Sequence, residues 1–249
     1  MIRRIIDQAL AVTPSNTRKR AVEALGDLGI RPGGPKMYAS LKRLRRLGFQ
    51  PRGVIDVGAY RGEWTREAFE VWPQTRSLMF EARQSESRHL EAVVSASNGR
   101  ASYRTMLLGP ESKKSAAFFE LEASGTGSSV LEELSTVERK VVSLPMHRLD
   151  DQVKDFGNVD LLKLDVQGFE LQVLAGAHNV LTACDVVITE VALLPYNKGA
   201  PFFDEVVQFM SSRGLVLFDI ATFMFDAKDR IFQLDAVFVR REAALRGPC

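Results

Sequence analysis

The stretch GVIDVGAYRG, residues 53–62, decides the fold class because it joins a buried strand to a glycine-containing turn and a helix start. Its β-branched run predicts a strand over 53–58, and the apolar spacing that follows predicts a helix over 63–72. A strand that turns directly into a helix is the repeating unit of an α/β domain.

The same alternation of strand and helix continues to the end of the chain. Further strands are predicted over 76–82, 101–107, 159–166, 184–193, 214–220 and 232–241, the last two as an antiparallel pair. Helices are predicted over 84–95, 169–182 and 202–213. This pattern predicts a mostly parallel seven-stranded sheet with helices on both faces, in which ligands bind beyond the carboxyl ends of the strands.

The composition is that of an ordinary globular protein. The 249 residues are 45% hydrophobic and 26% charged, which suits one large α/β domain. Two cysteines, Cys184 and Cys249, are too few for a disulfide scaffold and indicate a reducing, cytoplasmic location. The apolar runs stop well short of the roughly 18 residues that a membrane span needs.

The positive charge of the chain is concentrated at one end. Residues 1–50 carry 11 Lys and Arg against three acids, whereas the remainder, 51–249, has an acidic excess. We interpret 1–50 as a basic helical extension and 51–249 as the functional domain. No aromatic residues lie within the basic clusters 18–20 and 42–46, so nucleic-acid binding is not expected. Peripheral membrane contact through these helices is the less favoured alternative to a solvated helical face.

Within the extension, the pattern predicts three helices and a linker. Apolar residues at helical spacing begin at Ile2, a second helix is predicted over 16–28, and the Pro- and Gly-rich segment 29–35 is predicted to be a linker. The third helix, 38–47, places Leu41, Leu44 and Leu47 on one face.

The loop after the first strand is predicted to bind a cofactor. Gly58 and Gly62 permit a tight turn and a close ligand approach around Ala59 and Tyr60, while the following helix offers free N–H groups. Asp56 stands where the dinucleotide fingerprint has its first glycine, which argues against an NAD-linked oxidoreductase. An acid there favours a cationic ligand such as S-adenosylmethionine.

Two further strand ends complete the expected cofactor site. Glu81, followed by Ala82, is placed to accept the two hydroxyls of a ribose. Leu107 and Leu108, at the end of the third predicted strand, are expected to contact an adenine edge.

The candidate catalytic residues end the fourth and fifth predicted strands. Lys163 and Asp165 alternate with core-facing leucines, and charges on a buried strand need a partner or a purpose. A mutual salt bridge is the structural interpretation. In the functional interpretation, Asp165 is a cofactor-binding residue at the mouth of the pocket, beside the methyl group. There it orients an acceptor hydroxyl or accepts its proton, and Glu190 lies beside it.

The pair of Asp165 and Glu190 allows two accounts. The two carboxylates could share a divalent ion such as Mg²⁺, or their repulsion could raise one pKa and make a general base. The account without a metal is favoured because no third ligand stands out; Gln167 and Asp185 are weak candidates. His147 is more typical of a structural residue, before the predicted helix cap Asp150.

Together these motifs resemble the FkbM-type family of S-adenosylmethionine-dependent methyltransferases. The resemblance covers residues 52–240 and is most specific in LLKLDVQGFELQVLAGAHNVL, supported by VIDVGAYRGEWT, MFEA, SSVLEE, RLDD and ITEV in the family's order. It implies a class I methyltransferase fold, S-adenosylmethionine as cofactor, and O-methylation of a sugar or secondary-metabolite hydroxyl. Gln167 departs from the family, in which Glu is frequent at this position.

The expected partner is therefore a small-molecule or glycan hydroxyl acceptor. Segments 109–148 and 193–201 are predicted to close over this acceptor. Aromatic residues in or next to these segments are expected to contact it: Phe118, Phe119, Tyr196 and Phe202. The alternative function is a non-catalytic scaffold that binds S-adenosylmethionine and docks through its basic helices. Nothing in the sequence specifies an oligomeric state.

Overall fold

The fold is taken from a computed structural model, which describes residues 36–121, 127–134 and 138–247. Its α-helices are α1 Met37–Arg46, α2 Glu63–Val71, α3 Ser87–Ala96, α4 Leu149–Gln152, α5 Glu170–Ala175, α6 His178–Ala183 and α7 Phe203–Ser211. Its strands are β1 Gly53–Val57, β2 Arg76–Glu81, β3 Ala101–Thr105, β4 Leu107–Leu108, β5 Lys113–Glu120, β6 Lys140–His147, β7 Leu161–Leu164, β8 Val186–Ala192, β9 Leu215–Phe225 and β10 Ile231–Arg240.

Seven of these strands form one sheet in the order β3-β2-β1-β7-β8-β10-β9. The first five strands in this order, β3, β2, β1, β7 and β8, run parallel to one another, and β10 is antiparallel to both of its neighbours, β8 and β9. The predicted mostly parallel seven-stranded sheet, including its antiparallel final pair, is therefore confirmed. The order reverses direction between β1 and β7, so the carboxyl ends of these two strands form the crevice where ligands bind in such sheets.

The two faces of the sheet support separate hydrophobic cores. Ile55, Leu162 and Leu164 point to one core, whereas Val54 and Leu161 point to the other. Because the side-chain period of a strand is two, Asp56 and Lys163 lie on the same face as Leu161. Burial of both faces explains why the central strands read as continuous apolar runs.

Helix α1 packs on the second core. Leu41 and Leu44 are buried there, as predicted, and the Asp219 carboxylate of β9 accepts hydrogen bonds from Ser40 and Arg43. Leu47 does not share this face, because the helix has already ended and the side chain is 53% exposed.

A second sheet, in the order β4-β6-β5, was not predicted. The third predicted strand, 101–107, was too long: β3 ends at Thr105, and Leu107 and Leu108 pair instead with Met146 and His147 of β6. The segment 109–148, which is predicted to close over the acceptor, contains β5 and β6, and these two strands pair antiparallel.

The predicted helix 169–182 is in fact two helices. A side chain on Gly176 would lie 2.2 Å from the Gly109 carbonyl oxygen, so the chain turns there at a close backbone approach. The Asp150 carboxylate accepts hydrogen bonds from the backbone N–H groups of Asn179 and Val180 and so caps α6, rather than its own helix.

The predicted helices before residue 29, the linker 29–35, and the first half of the Gly/Ser segment 124–129 lie outside the described residues. None of the helices in the described ranges has the length and apolar character needed to cross a bilayer.

The close approach of β1 to β7 predicts a cost for the change Gly58→Ala. Gly58 has φ +72°, and a Cβ there would lie 1.8 Å from the Asp165 carbonyl oxygen. Gly48 has φ +93° with nothing within 4 Å of a Cβ, so Gly48→Ala is a matched control for the backbone term alone. In urea unfolding we expect about 1–2 kcal/mol lost for Gly48→Ala and at least about 3 kcal/mol for Gly58→Ala. Equal losses of unfolding free energy in the two variants would show that a Cβ at position 58 does not collide with the Asp165 carbonyl oxygen.

Candidate functional site

A buried ion network joins the ends of β1 and β7. The Lys163 ammonium lies 3.3 Å from Asp56 Oδ1 and 3.5 Å from Asp165 Oδ2, and donates to the Gly58 carbonyl oxygen at 3.2 Å. Burial opposes the charge on this ammonium, but the Asp56 and Asp165 carboxylates outweigh that effect and raise the pKa of Lys163. The salt bridge considered from the sequence is present, with Asp56 as a second partner, and it fixes the floor of the crevice.

The loop after β1 folds back on β2. The N–H groups of Gly58 and Ala59 both donate to the Phe80 carbonyl oxygen, and the Tyr60 N–H donates to Glu81 Oε2 at 2.8 Å. The loop therefore uses the N–H groups of these three positions to attach itself to the end of β2.

Glu81 is a buried carboxylate in the crevice. Besides Tyr60, the Arg83 N–H donates to its other oxygen at 2.9 Å. Burial raises the pKa of Glu81, although the two backbone hydrogen bonds lower it in part. Each carboxylate oxygen keeps acceptor capacity, so Glu81 can accept two further hydroxyl donors in the crevice.

The crevice itself, here called the first cleft, holds about 680 Å³ of open space between the carboxyl ends of the strands. Its walls combine one buried acid with mostly apolar side chains, a composition that suits a nucleoside. Among the predicted cofactor residues, those that line it are Gly58, Tyr60, Glu81, Ala82, Leu107, Leu108 and Asp165.

Four predicted site residues lie behind this wall rather than in it. Ala59 belongs to a small core cluster, and a side chain on Gly62 would meet Val93 at 2.7 Å. Asp56 is fully buried, accepts the Thr65 hydroxyl at 2.8 Å, and together with Lys163 supports the loop. The structure places all four as supports of the cleft and brings none of them to its surface.

A second cleft opens on the other side of Asp165. It is lined by Asp165, Gln167, Glu190, Tyr196, Thr222, Met224, Phe232, Gln233, Leu234 and Asp235. Asp165 and Gln167 line both clefts, so the two spaces meet at these residues. The Asp165 side chain is 37% exposed at this junction, and the sequence-predicted pair of Asp165 and Glu190 is brought together there.

The second cleft is acidic and buried. Glu190 lies directly opposite Asp235 in the antiparallel ladder between β8 and β10. Burial, with the neighbouring carboxylates of Asp165 and Glu170 adding to it, raises the pKa of Glu190 well above its usual value. Burial also raises the pKa of Asp235 to about 6, although its acceptance of the Thr222 hydroxyl opposes this.

Glu170 holds the turn after β7, which carries Gln167 at the junction. Its Oε1 accepts the backbone N–H of Val166 at 2.9 Å and of Gly168 at 3.2 Å, which closes the turn after β7. Burial raises the pKa of this carboxyl to about 7. Glu170 therefore acts on the loop that carries Gln167.

The two segments predicted to close over the acceptor are joined to each other. The Leu134 N–H donates to the Tyr196 carbonyl oxygen, and Glu133 pairs with Asn197 as an isolated bridge. Of the four aromatic residues predicted in these segments, Phe118 lines the first cleft and Tyr196 the second.

The other two aromatic residues do not reach the clefts. Phe119 pairs with Ser129 through backbone hydrogen bonds, and Phe202 is partly exposed at the start of α7. His147, the last residue of β6, pairs with Leu108 of β4 and lines neither cleft, as expected of a structural residue.

Sequence reasoning missed the contribution of the last two strands. Thr222, Gln233 and Asp235 line the second cleft, and Gln233 Nε2 donates to Glu190 Oε2 at 2.5 Å. The signal in the sequence is the same as for Lys163, namely polar residues within otherwise apolar strands.

The described ranges contain no group of three or more His, Cys, Asp or Glu side chains arranged to hold a metal ion. Between Asp165 and Glu190 lies the amide of Gln167, which donates to both. Neither Gln167 nor Asp185 supplies a third acidic ligand beside this pair.

The sheet order, with a cleft at the carboxyl ends of β1, β2 and β7, defines the class I methyltransferase architecture. The family described as Methyltransferase FkbM domain matches residues 56–217. The chain belongs to this family.

One curated relative is 2-O-methyltransferase NoeI from Sinorhizobium fredii (strain NBRC 101917 / NGR234), 27% identical over 156 residues, with 55% of this chain and 62% of that protein covered. Less than two thirds of NoeI is thus matched.

Among solved structures, a putative O-methyltransferase from Klebsiella pneumoniae is similar at 10% identity, with 96% of each chain covered and a TM-score of 0.49. The Burkholderia thailandensis 1,6-didemethyltoxoflavin-N1-methyltransferase, solved with S-adenosylhomocysteine, is similar at 13% identity, with 83% and 77% covered and a TM-score of 0.46.

The raised pKa of Asp235 predicts a pH-dependent stability. Because folding favours its protonated form, its contribution is complete below the ordinary pKa of an aspartate and is lost as the pH rises through about 6. Asp235→Asn cannot ionise, so at about pH 7.5 we expect its free energy of unfolding to exceed that of the wild type by about 1–3 kcal/mol. At about pH 4 the excess should shrink to a small fraction of that value.

Urea unfolding at both pH values measures this difference. Asp155→Asn, at an exposed position, is the control and should follow the wild type. An Asp235→Asn variant that tracks the wild type at every pH would show that Asp235 is not destabilised by burial.

Proposed function

We propose that this protein transfers a methyl group from S-adenosylmethionine to a hydroxyl oxygen of a sugar or secondary-metabolite acceptor. The observation that carries the proposal is the junction at Asp165, where a mostly apolar first cleft that contains the buried Glu81 carboxylate meets an acidic second cleft. Methyl transfer needs such an arrangement, since donor and acceptor must meet in line with water excluded.

The residues of the first cleft suit S-adenosylmethionine. Glu81 offers a buried carboxylate for the ribose hydroxyls, and Leu107 and Leu108 offer an apolar wall for the adenine. The Gly58 position brings the backbone close to the ligand space, where a Cβ would collide with the end of β7. When bound, this cofactor supplies a methyl group already activated by a positively charged sulfur.

In this proposal Asp165 acts at the junction. Its carboxylate is held by Lys163 and by the Gln167 amide, and it remains partly exposed to both clefts. It attracts a positively charged group on the first-cleft side and accepts a hydrogen bond from a hydroxyl on the second-cleft side. Lys163 holds this carboxylate in place.

Glu190 is the second candidate to receive the acceptor proton. Its pKa is raised by burial, which brings its proton affinity closer to neutral pH and makes it a better base than an exposed carboxylate. Asp235 lies opposite Glu190 in the ladder, so a second buried carboxyl stands beside this candidate base.

The chemistry of the second cleft supports a neutral, hydroxyl-rich acceptor. Within the described part of the chain its walls include three carboxylic acids and neither Lys nor Arg, so an anionic acceptor is disfavoured. Tyr196 and Phe232, with ring centroids 5.7 Å apart, add an aromatic surface against which a sugar ring can pack. The name of the relative, 2-O-methyltransferase, is consistent with transfer to oxygen.

Removal of the ribose-binding carboxylate should weaken the cofactor. For Glu81→Ala we expect the affinity for S-adenosylmethionine to fall by about 1–3 kcal/mol, because buried hydroxyls lose their partner. Isothermal titration calorimetry measures this, with Glu70→Ala, exposed on α2, as the control. Unchanged binding by Glu81→Ala would remove Glu81 from the site.

The reaction is tested by formation of S-adenosylhomocysteine with a panel of acceptors. We expect turnover with neutral sugars or polyhydroxylated metabolites and little with their carboxylated or phosphorylated analogues. Asp165→Asn should bind S-adenosylmethionine within a few-fold of the wild type but lose about 10²–10⁴-fold in turnover. Tight cofactor binding without any transfer would favour a scaffold, and equal turnover by Asp165→Asn would make Asp165 structural.

A further inference from the structure

The side-chain amide of Gln167 lies between the two carboxylates at the junction. Its Nε2 is 2.8 Å from Asp165 Oδ1 and 3.1 and 3.0 Å from the two oxygens of Glu190. An amide nitrogen has two hydrogens, so one serves Asp165 and the other is shared by the oxygens of Glu190. A single neutral group thereby fixes the orientation of both acids.

The backbone of Gln167 is held in an unfavourable conformation to reach this position. Its φ is +56°, in the left-handed region that side chains other than glycine rarely adopt. Its carbonyl oxygen accepts hydrogen bonds from Ser129 Oγ at 2.9 Å and Asn197 Nδ2 at 2.6 Å. Strain that is maintained from two separate segments is typical of a residue placed for function.

The Gln167 amide also stabilises the Glu190 carboxylate in surroundings that contain mostly other acids. The charged or ionisable groups around Glu190 are Asp165, Glu170, Asp235, Lys163 and Tyr196. Of these only Lys163 is a cation, and it is bound to Asp56 and Asp165. The donors that reach Glu190 are the amides of Gln167 and Gln233. Each such hydrogen bond favours the ionised carboxylate without adding charge.

A glutamate at position 167 would replace the hydrogen-bond donor between the two acids with a third carboxylate. Three carboxylates, from residues 165, 167 and 190, would then converge on one small volume. Such a set is unfavourable by itself and becomes favourable around a divalent cation, which prefers oxygen ligands of this kind.

We propose that Gln167 is a positioning residue whose amide takes the place of a bridging cation between Asp165 and Glu190. Its catalytic meaning rests on the proposed function, since it would hold the two acids toward the acceptor hydroxyl. The structural part of the proposal does not rest on the proposed function. It states that replacing the amide nitrogen of Gln167 with an oxygen, as in Gln167→Glu, converts this junction into a divalent-cation site.

The test is Mn²⁺ binding by Gln167→Glu, followed by thermal unfolding of the full chain. At a Mn²⁺ concentration ten times the dissociation constant, we expect the melting temperature of this variant to rise by about 3–5 °C. The wild type and Gln208→Glu, which adds the same charge at an exposed position of α7, should not shift. A wild type that shifts as much as Gln167→Glu, or a folded Gln167→Glu that does not shift, overturns the proposal.

A second variant keeps the proposal testable if Gln167→Glu does not fold. Gln167→Met preserves the size of the side chain and removes both donors. The Glu190 carboxyl, observed by carbon-13 NMR and assigned with Glu190→Gln, should titrate at a pH higher by at least about one unit than in the wild type. An unchanged titration means that the amide does not support this carboxylate.

These measurements use neither S-adenosylmethionine nor an acceptor. Loss of the proposed function, seen as no methyl transfer with any acceptor, therefore leaves them unaffected. Failure of the Mn²⁺ and NMR tests would conversely leave methyl transfer standing and remove only the role of Gln167.

Discussion

The buried ammonium of Lys163 is the interaction on which the rest of the site depends. It neutralises Asp56 beneath the loop and Asp165 at the rim, and it binds the Gly58 carbonyl between them. Two carboxylates at adjacent strand ends would otherwise repel each other. With the lysine in place, β1 and β7 end close together and leave one acid facing the ligand space.

The two clefts are consequences of this arrangement. The loop after β1 is tied to β2 through Phe80 and Glu81, so the first cleft is shaped by the same strands that build the core. The second cleft is formed where β8 meets β10, whose acids Glu190 and Asp235 face each other. Asp165 and Gln167 separate the two spaces, which is why a donor in one and an acceptor in the other would meet at a single point.

Much of this could be predicted from sequence because the decisive signals are local. The central strands β1, β2, β7 and β8 are short, mostly apolar runs, and Glu81 and Asp165 are the polar residues that end two of these runs. The small sheet could not be predicted in this way, because β4 has two residues and its partner His147 lies about forty positions away. The helix break at Gly176 likewise depends on a contact with the distant Gly109.

The site was predicted less completely, for a physical reason. Sequence identifies which residues end the strands but not which way a loop side chain turns. Gln167 was noticed as an amide where an acid is frequent, yet its left-handed backbone and its bonds to both carboxylates appear only in three dimensions. Asp56 and Gly62, conversely, have the residue types of a ligand site but support it from behind.

The most direct test of the account is a crystal structure with S-adenosylhomocysteine. The account predicts that the ribose hydroxyls bind the Glu81 carboxylate, that the adenine packs on Leu107 and Leu108, and that the sulfur faces Asp165 at the junction of the clefts. A nucleoside bound away from Glu81, or a sulfur directed away from Asp165, would contradict it.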